Sequence, residues 1–419
     1  MPNNFLTANV IAKAAVKILD NELVAASKVH RGYEDEFSST VNGYQKGAAV
    51  TIKRPPQFQV RDGAVAVKQD ITEGTTSVTV DKMKGIDLAI SSTDRTLSIG
   101  ELSERILKPA MVSLANQVDQ DVMGLYSSVA NWVGTPGNIL SSYAGFLRGT
   151  TRMNNASVPK DSRFCMLSPD DEAGLADSQT KFLNDKLVGE AYRDGGVGRI
   201  AQVDTYMSQN VPVHVTGSRT NGTVAGAGQN VTYTQVLANG VAVKDFGGQL
   251  LNVGGLGAGG VVAKGDVFTI AGVFAVNHVT KQPLPYLRQF TVMAAAVADG
   301  NGAAQLQISP AIIAPAAFPN GAFTTVSAAP ANGAVVTWMG AANTPYTQNI
   351  MAHKSAFALT CVPLVKPDGA VSCERETYKG LSVRLIPYYD GTNDISNWRL
   401  DILYGVKAVD PRLGVRLNG

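Results

Sequence analysis

The chain has 419 residues, of which 36 are basic and 34 acidic, so that its formal net charge at pH 7 is only +2. A chain of this length can bury a large core in several domains, and the near balance of charge excludes the basic footprint of a sequence-specific nucleic-acid-binding protein. Three cysteines and four histidines are too scattered to predict a disulfide framework or a metal site. Because the chain starts without a signal-peptide pattern and contains no apolar run of about 18 residues, we expect a soluble protein made in a reducing cytoplasm.

The first predicted element is an amphipathic helix within residues 5–30. Apolar side chains recur along one side of it at Val10, Ile11, Ala14, Ala15, Ile18 and Leu23. A polar and irregular segment then runs from Val29 to Gly47. A helix tethered in this way ahead of the main body indicates an N-terminal arm over residues 1–47, and the alternative is a helix docked on its own domain.

Alternating apolar and polar residues between Ala48 and Ile90 predict two strands that form a long hairpin. Pro55 and Pro56 interrupt the first strand and confine it to an edge or a bulge. A hairpin with so few large apolar residues is marginal alone, so we expect it to lie against a neighbouring copy of the chain. The alternative is a solvated surface hairpin. The charged residues expected to set the contact are Lys53, Arg54, Arg61, Asp62, Lys82 and Lys84.

The segment from Ser98 to Asn131 predicts one continuous helix of roughly 50 Å, at about 1.5 Å per residue. Its apolar stripe consists of Leu107, Met111, Leu114, Val118, Val122, Leu125 and Val129. Ser98 and Glu101 have the spacing of a capping box at the start of the helix, and Pro109 is expected to kink it. A helix of this length needs a sheet to lie against.

A mixed region follows the long helix. Residues 140–152 predict a shorter helix, and the apolar run SRFCMLSP predicts a buried strand. From about Ser218 to Tyr346 charged residues become rare, and short strands recur between glycines, asparagines and prolines. This pattern predicts a small antiparallel barrel or sandwich, inserted into a body that begins near residue 140 and resumes near residue 346.

No motif in the sequence predicts catalysis. The segment GLGAGG that begins at Gly255 matches a dinucleotide-binding loop, but strand-like residues follow it, and we interpret it as a flexible loop. Cys165 falls in the predicted buried strand, where a thiol is inert packing. The acidic run that begins at Asp170 marks the start of a helix, with Ser168 or Asp170 as its cap. We therefore expect no catalytic, cofactor-binding or metal-binding residues, and a protein that works by making contacts.

Four segments carry a resemblance to a known family. They are EAYRDG at Glu190–Gly195 (with Arg199, Val203, Asp204 and Val211–Val213 after it), KGDVFTIAGVFAVN at Lys264–Asn277, LQISP at Leu306–Pro310 and LYGVKAVDPRLGVRL at Leu403–Leu417. With the order of the predicted elements, they resemble the major capsid (coat) proteins of tailed double-stranded DNA bacteriophages, which have the Hong Kong 97-type fold. The sequences of these segments are similar to those of the Salmonella podovirus coat-protein type, which carries an inserted domain. On this resemblance, Arg193 and Asp194 join the candidate contact residues.

The resemblance implies an α+β fold of the Hong Kong 97 type with an inserted small antiparallel β-barrel or sandwich domain. In this family the hairpin, called the E-loop, reaches over a neighbouring subunit. The parts expected by likeness are an N-arm (1–47), the E-loop hairpin (48–95), a peripheral domain with a spine helix (96–139), an axial domain in two pieces (140–217 and 346–400), the inserted β domain (218–345) and a C-terminal strand that returns to the peripheral domain (401–419).

The resemblance also implies a non-enzymatic structural subunit of an icosahedral phage head, which assembles with itself into hexamers and pentamers. The expected precursor shell, or procapsid, forms with a scaffolding protein and a portal protein and matures around packaged double-stranded DNA, which it contacts non-specifically. Decoration proteins are a further candidate partner. We expect assembly in the host bacterial cytoplasm, a final location in the virion, no membrane partner and no cofactor.

Three alternatives compete with this interpretation. An encapsulin-like nanocompartment shell has the same fold but lacks the large insertion. A hydrolase or transferase with a β-sandwich appendage would need titratable groups that converge in a pocket. A secreted β-rich adhesin or surface-layer protein would need a signal peptide.

Overall fold

The structure is a computed structural model that describes residues 8–33, 49–53, 56–58, 60, 63–66, 68, 75–91, 106–180, 198–231, 235–236, 242–243, 247–315, 323–367, 372–392 and 395–419. The chain divides into two compact units. Unit 1 comprises Met1–Thr51, Ser77–Met123 and Phe357–Lys407, and unit 2 comprises Ile52–Thr76, Gly124–Ala356 and Ala408–Gly419. Each unit is therefore assembled from segments that are far apart in sequence.

Strands outnumber helices in the described residues. The α-helices are α1 (Ala8–Glu22), α2 (Ala25–Lys28), α3 (Lys108–Met123), α4 (Tyr143–Asn155) and α5 (Pro169–Thr180). The strands of the first half are β1 (Ala49–Lys53), β2 (Thr75–Thr79), β3 (Lys82–Ser91), β4 (Trp132–Val133), β5 (Arg163–Leu167), β6 (Arg199–Ile200), β7 (Val203–Met207) and β8 (Val213–Val215). Those of the inserted region are β9 (Gly222–Val224), β10 (Gln235–Val236), β11 (Ala242–Val243), β12 (Gln249–Gly254), β13 (Val261–Val262), β14 (Val267–Val276), β15 (Pro283–Val292), β16 (Ala296–Val297), β17 (Ala304–Ser309) and β18 (Val335–Trp338). The last strands are β19 (Pro345–Thr347), β20 (Asn349–His353), β21 (Phe357–Val362), β22 (Glu374–Tyr378), β23 (Leu381–Asp390), β24 (Ile395–Ala408) and β25 (Gly414–Leu417).

The core of unit 1 is a five-stranded sheet with helices packed on it. The strand order is β21-β24-β23-β22, and β3 also pairs with β24. The long strand β24 is antiparallel to β23 and to β3, so that Leu400 lies opposite Leu385 on β23 and Ile86 on β3. Leu400 and Leu385 are buried, as the alternation of apolar residues along an antiparallel sheet requires.

The amphipathic helix predicted near the N-terminus is present as α1, but it is docked on its own unit. It contacts α3, β22 and β23. Its buried side chains are Ile11, Ala12, Ala15, Val16 and Leu19, so the buried face is rotated from the predicted one, and Ala14 and Ile18 are only half-buried. The alternative of a docked helix therefore describes α1 better than a projecting arm does, because its apolar face is covered by unit 1.

The second strand predicted for the long hairpin is divided. β1 and β2 form a two-stranded sheet, but the strand breaks at Val80 and Asp81. Beyond the break, β3 pairs with β24 over its full length, from Lys82 opposite Tyr404 to Ser91 opposite Ile395. The expectation of one uninterrupted strand is therefore wrong, because half of it is a member of the unit 1 sheet.

The long helix is shorter at its C-terminal end than predicted. The α-helical part ends at Met123, and a 3₁₀-helix from Gly124 to Ser128 follows it, since glycine is a poor residue for a helix interior. Ser98 and Glu101 lie outside the described residues. Pro109 lies in the first turn of α3, which begins at Lys108 after a π-helical turn at residues 106–107. The helix irregularity expected at the proline is therefore this π-helical turn. The predicted apolar stripe is buried at Leu107, Met111, Leu114, Val118, Val122 and Val129.

Unit 2 contains a six-stranded mixed sheet in the order β4-β25-β20-β5-β7-β6. Every residue of β5 is buried, as predicted for the run SRFCMLSP. Two capped helices accompany the sheet: Ser142 accepts a hydrogen bond from the N–H of Gly145 in α4, and Ser168 accepts one from the N–H of Asp171 in α5. Ser168, rather than Asp170, is therefore the cap of α5.

The barrel predicted in the inserted region is also present in unit 2. Six antiparallel strands close on themselves in the order β12-β17-β15-β14-β18-β9. Its interior is filled by apolar side chains that point inwards from alternate positions, among them Leu251, Val253, Phe268, Ile270, Phe290, Leu306, Ile308, Val336 and Trp338. The antiparallel barrel is thus confirmed, and the alternative of a sandwich is excluded for these strands.

Candidate subunit interface

The structure describes only part of the predicted contact set. Arg54, Arg61, Asp62, Arg193 and Asp194 lie outside the described residues. Lys53 ends β1, and Lys82 and Lys84 lie on β3. The contact prediction can therefore be compared with local geometry at the β3 lysines alone.

Lys82 has a partner within its own chain. Its Nζ lies 2.9 Å from Oδ1 of Asp121, at the end of α3, and the hydroxyl of Tyr404 donates a hydrogen bond of 2.6 Å to Oδ2 of the same carboxylate. Burial raises the pKa of Tyr404, and the hydrogen bond to Asp121 raises it further. Lys82 thus ties β3 to α3 in unit 1, and its role in a contact between subunits stays a prediction.

A second ion-pair cluster joins β23 to β24, next to the position on β24 that pairs with Lys84. The buried carboxylate of Asp401 accepts hydrogen bonds from Nη2 of Arg384 at 2.6 Å and from Nε of Arg399 at 2.9 and 3.0 Å. The hydrogen bond to Asp401 and its negative charge raise the pKa of Arg399. On the opposite strand a Cβ at Gly85 would lie 2.5 Å from Asp401 Oδ1, so this position requires glycine. Lys84 itself pairs with Ile402 across the strands, and its proposed intersubunit role also stays a prediction.

The N-terminal helices are fastened to α3 by one buried carboxylate. Asp119 is 2% exposed and accepts hydrogen bonds of 2.8 Å from the N–H groups of Val24 and Ala26, at the start of α2. Burial raises the pKa of Asp119 although these hydrogen bonds oppose the shift. Asp119 therefore acts as an N-cap supplied from a different helix.

Several large apolar side chains are exposed and form candidate contact surfaces. In the described part of the E-loop segment, Phe58 is 54% exposed, Val60 91% and Val65 79%. In unit 1, Tyr388 and Tyr389 are exposed near the end of β23. Exposed apolar groups of this size are covered in most stable assemblies, so they are stronger candidates for contacts than the paired charges.

The interior of unit 2 holds a charged network that the sequence interpretation missed. Asp266 is fully buried between His214, whose Nε2 lies 3.0 Å from its Oδ1, and Arg219, whose Nε lies 3.1 Å from its Oδ2. The hydroxyl of Tyr126 lies 3.1 Å from Nδ1 of His214. The arrangement is satisfied when Nε2 donates to Asp266 and Nδ1 accepts from Tyr126.

Arg416 continues this buried polar region on β25. It is 0% exposed and donates hydrogen bonds from Nη1 to the carbonyl oxygen of Gly265 at 2.7 Å and from Nη2 to Thr291 Oγ1 at 3.1 Å. Its guanidinium carbon lies 5.2 Å from the ring centroid of Tyr126. Burial lowers the pKa of Arg416 to about 10, against the raising effect of Tyr126 and of Asp266. A buried guanidinium in this position cross-links β25 to the barrel strands of the same unit.

A single sequence signal could have located this network. Between Ser218 and Tyr346 charged residues are rare, so the isolated Arg219 and Asp266 stand out in a region that otherwise builds an apolar barrel. A charge in such a surrounding is rarely tolerated unless it is paired. Sequence spacing alone, however, does not identify His214 as the third member.

The arrangement offers no obvious chemistry beyond contacts. Within the described residues, no group of three or more His, Cys, Asp or Glu side chains is placed to hold a metal ion. Cys165 is completely buried, and burial raises the pKa of its thiol, as expected for inert packing. The GLGAGG segment is a loop between β12 and β13, with Gly255 and Gly257 at positive φ. No helix in the described part of the chain is both long and apolar enough to cross a membrane.

Comparison with known proteins gives one family. The model of the P22 coat protein family, described as "P22 coat protein - gene protein 5", matches residues 1–419. A curated relative, the "Major capsid protein" of Acyrthosiphon pisum secondary endosymbiont phage 1, is 21% identical over 389 residues and is covered to 89%, as is this chain.

Similar solved structures come from phage and from a virus-like particle. A chain from Mycobacterium phage Che8 has a TM-score of 0.46 and 14% identity, with 94% of this chain and 91% of that chain covered. A chain of the virus-like particle from Pyrococcus furiosus has a TM-score of 0.39 and 8% identity, with 97% of each chain covered.

Proposed function

The chain belongs to the P22 coat protein family, and from this premise we propose how its copies are arranged and which partners they meet. Family membership confirms the predicted recognition, the Hong Kong 97-type α+β capsid fold and the role of a non-enzymatic structural subunit of a phage head. The protein is accordingly a component of the virion that assembles with itself into capsid oligomers.

The arrangement that we propose makes the E-loop segment a clamp on a neighbouring subunit. The observation that carries it is the exposure of Phe58, Val60 and Val65 in the isolated chain, together with the polar surroundings of these residues in the sequence. At about 25 cal/mol per Å² of apolar surface buried, covering three such side chains favours association by only a few kcal/mol per subunit. Weak contacts of this size suit a closed shell, because many copies add their contributions and misplaced subunits can still leave.

The charged residues of the predicted set would then fix the register of the clamp. Lys53, Arg54, Arg61 and Asp62 on the hairpin, with Arg193 and Asp194 from the axial domain, carry charges of both signs. Exposed ion pairs are worth little singly, so their contribution is to orientation rather than to affinity.

We also propose the finer assembly sequence and the partners that the family resemblance implies. A scaffolding protein and a portal ring would organise the procapsid in the host bacterial cytoplasm, and double-stranded DNA would enter it later. The near-neutral net charge supports a container that holds DNA without tight binding, since affinity for phosphates grows with each neutralising Lys or Arg. Decoration proteins remain a further candidate partner.

The test replaces Lys53, Arg54 and Arg61 together by Glu, with Lys28→Glu, Lys108→Glu and Lys354→Glu as a matched charge change elsewhere. Negative-stain microscopy of the purified subunits, with and without the scaffolding protein, counts closed shells, and circular dichroism verifies folding. We expect the hairpin variant to fold but to form few shells, and the control to assemble. Unaltered assembly of the hairpin variant would refute the clamp, and shells that close without scaffold around a protein cargo would favour the encapsulin-like alternative.

A further inference from the structure

Unit 2 contains a cavity of about 60 Å³ at which polar and basic side chains meet. Arg288 of β15 and Arg412, in the turn before β25, line it together with Ser128, Asn131 and Thr325. At roughly 10–15 Å³ for each water molecule, this space has room for about five waters. One tetrahedral oxyanion therefore fits, whereas a nucleoside does not.

Arg288 brings an unsatisfied donor to this cavity. Its Nε–H is buried and has no acceptor among the described residues. Buried donors without an acceptor are rare in native proteins and indicate the place of a water molecule or an ion. An oxyanion is the stronger partner of the two, because hydrogen bonds from a guanidinium to a negatively charged oxygen are charge-assisted.

The basic side chains around Arg288 outnumber the acidic ones. The charges of Arg412 and Arg152 act on Arg288, and those of Arg412, Lys281, Arg288 and Asp410 act on His278. Asp410 accepts hydrogen bonds of 2.8 and 2.7 Å from Arg412. Among the described residues, the carboxylate of Asp410 is therefore already paired with Arg412.

The pKa values of Arg288 and Lys281 are lowered chiefly by burial, and neighbouring cations contribute. Burial is the main cause that lowers the pKa of Arg288 to about 10; Tyr286 opposes the shift, and the charges of Arg412 and Arg152 add to it. Burial and then the charge of Arg412 lower the pKa of Lys281 to about 8. In both cases the larger cause is the removal of the cation from water, and the like charge of Arg412 acts in the same direction.

We propose that this cavity is a binding site for one phosphate-class oxyanion, held by the guanidinium groups of Arg288 and Arg412. The planar fork of a guanidinium matches the oxygen spacing of a phosphate group, and the Ser128 hydroxyl can complete the coordination. A bound anion links β15 to the C-terminal segment of unit 2 and neutralises part of the cluster.

The experiment measures thermal unfolding of the purified full-length subunit with increasing inorganic phosphate, at ionic strength held constant with sodium chloride. At a hundredfold excess over Kd, we expect phosphate to raise the Tm of the unit 2 transition by about 5 to 10 °C. The shift should be absent in Arg288→Gln and reduced in Arg288→Lys, which keeps the charge but loses the fork. It should be intact in Arg199→Gln, which removes an exposed arginine of the same unit.

Line broadening of the ³¹P signal of phosphate by wild-type protein gives a second measurement that does not depend on whether the variants fold. No broadening overturns the proposal, as does an equal Tm shift in wild type and Arg288→Gln. A short DNA duplex added in place of inorganic phosphate distinguishes binding of the free anion from binding of the phosphate groups of DNA. An Arg288-dependent shift with the duplex but none with phosphate would also overturn the proposal, because the cavity would then not be the site.

Discussion

The carboxylate of Asp266 lies 3.0 Å from Nε2 of His214 in the interior of unit 2, where neither side chain is exposed by more than 3%. Arg219 completes an ion pair on the other oxygen of the same carboxylate. His214 and Arg219 lie in the segment that leads into β9, and Asp266 lies in the turn before β14. The contact therefore fixes the start of the barrel to the turn before β14.

Removal of this charge should be costly. We expect Asp266→Asn to lower the free energy of unfolding by about 3 to 5 kcal/mol, because Arg219 is left as an unpaired buried charge. Urea unfolding followed by tryptophan fluorescence measures the change, since Trp338 lies beside Arg219. Lys264→Gln, at an exposed residue two positions away, should leave the midpoint unchanged. An Asp266→Asn variant as stable as wild type would contradict the role assigned to the pair.

Asp119 allows the docking of the N-terminal helices to be tested. We expect Asp119→Ala to destabilise unit 1 by about 2 kcal/mol, because the N–H groups of the half-buried Val24 and the buried Ala26 lose their acceptor. Hydrogen exchange read by mass spectrometry should become faster in residues 8–33. Asp119→Asn, which keeps one acceptor oxygen, should have a smaller effect, and the exposed Asp87→Asn should have none. Unchanged exchange in the alanine variant would mean that the apolar face of α1 suffices.

Gly405 on β24 tests a close approach of two backbones. A Cβ at this position would overlap the carbonyl oxygen of Thr79, and this group cannot move without breaking its strand. We expect Gly405→Ala to cost about 2 kcal/mol or more, in the range of overpacked sites. Gly124→Ala is the matched control, since nothing lies within 4 Å of a Cβ there. Thermal unfolding of the two variants should differ, and equal Tm values would show that β24 adapts.

His278 makes the stability of unit 2 depend on pH. Burial lowers its pKa to about 4, and the charges of Arg412, Lys281 and Arg288 contribute against that of Asp410. In the unfolded chain the imidazole takes up a proton near pH 6.5, whereas the folded protein does so only near pH 4, so stability present above pH 6.5 is lost as the pH falls towards 4. The loss is on the order of 3 kcal/mol, at about 1.4 kcal/mol for each pKa unit.

The measurement compares wild type with His278→Gln by urea unfolding at pH 7 and at pH 4. Carboxylates also titrate over this interval, but they do so in both proteins. Only the difference in stability loss between wild type and variant therefore reports on His278. We expect wild type to lose more stability than the variant over this interval. Parallel losses in the two proteins would contradict the pKa assigned to the folded state.

Local patterns in the sequence predicted those elements whose partners lie on one continuous face. The stripe of α3 is buried at Met111, Leu114 and Val118, and the apolar run of β5 is buried throughout. Each of these patterns could be predicted because the element packs into one continuous apolar environment. The barrel followed from strand spacing and from the scarcity of charge between Ser218 and Tyr346, since strands that close into a barrel bury only one face.

Pairing between segments that are far apart in the chain could not be predicted from local sequence patterns. The break at Val80–Asp81 and the transfer of β3 to β24 join segments about 300 residues apart, and no local periodicity encodes such a partner. The intrachain bond of Lys82 to Asp121 has the same origin. A charged residue on an alternating strand has the same sequence pattern whether its partner is in its own chain or in a neighbouring subunit. The predicted contact set therefore included Lys82, whose partner is in its own chain.

The closure of the six-stranded barrel has a consequence for crowding. In the barrel as described, each strand has a hydrogen-bonded neighbour on both sides along part of its length, so the ring has no edge strand that another polypeptide could extend. Copies of a self-assembling chain meet one another, and an exposed edge strand would allow indiscriminate growth of fibres. Whatever this ring contributes to neighbouring molecules must therefore pass through loops and side chains, which single substitutions can adjust while the strand register stays fixed.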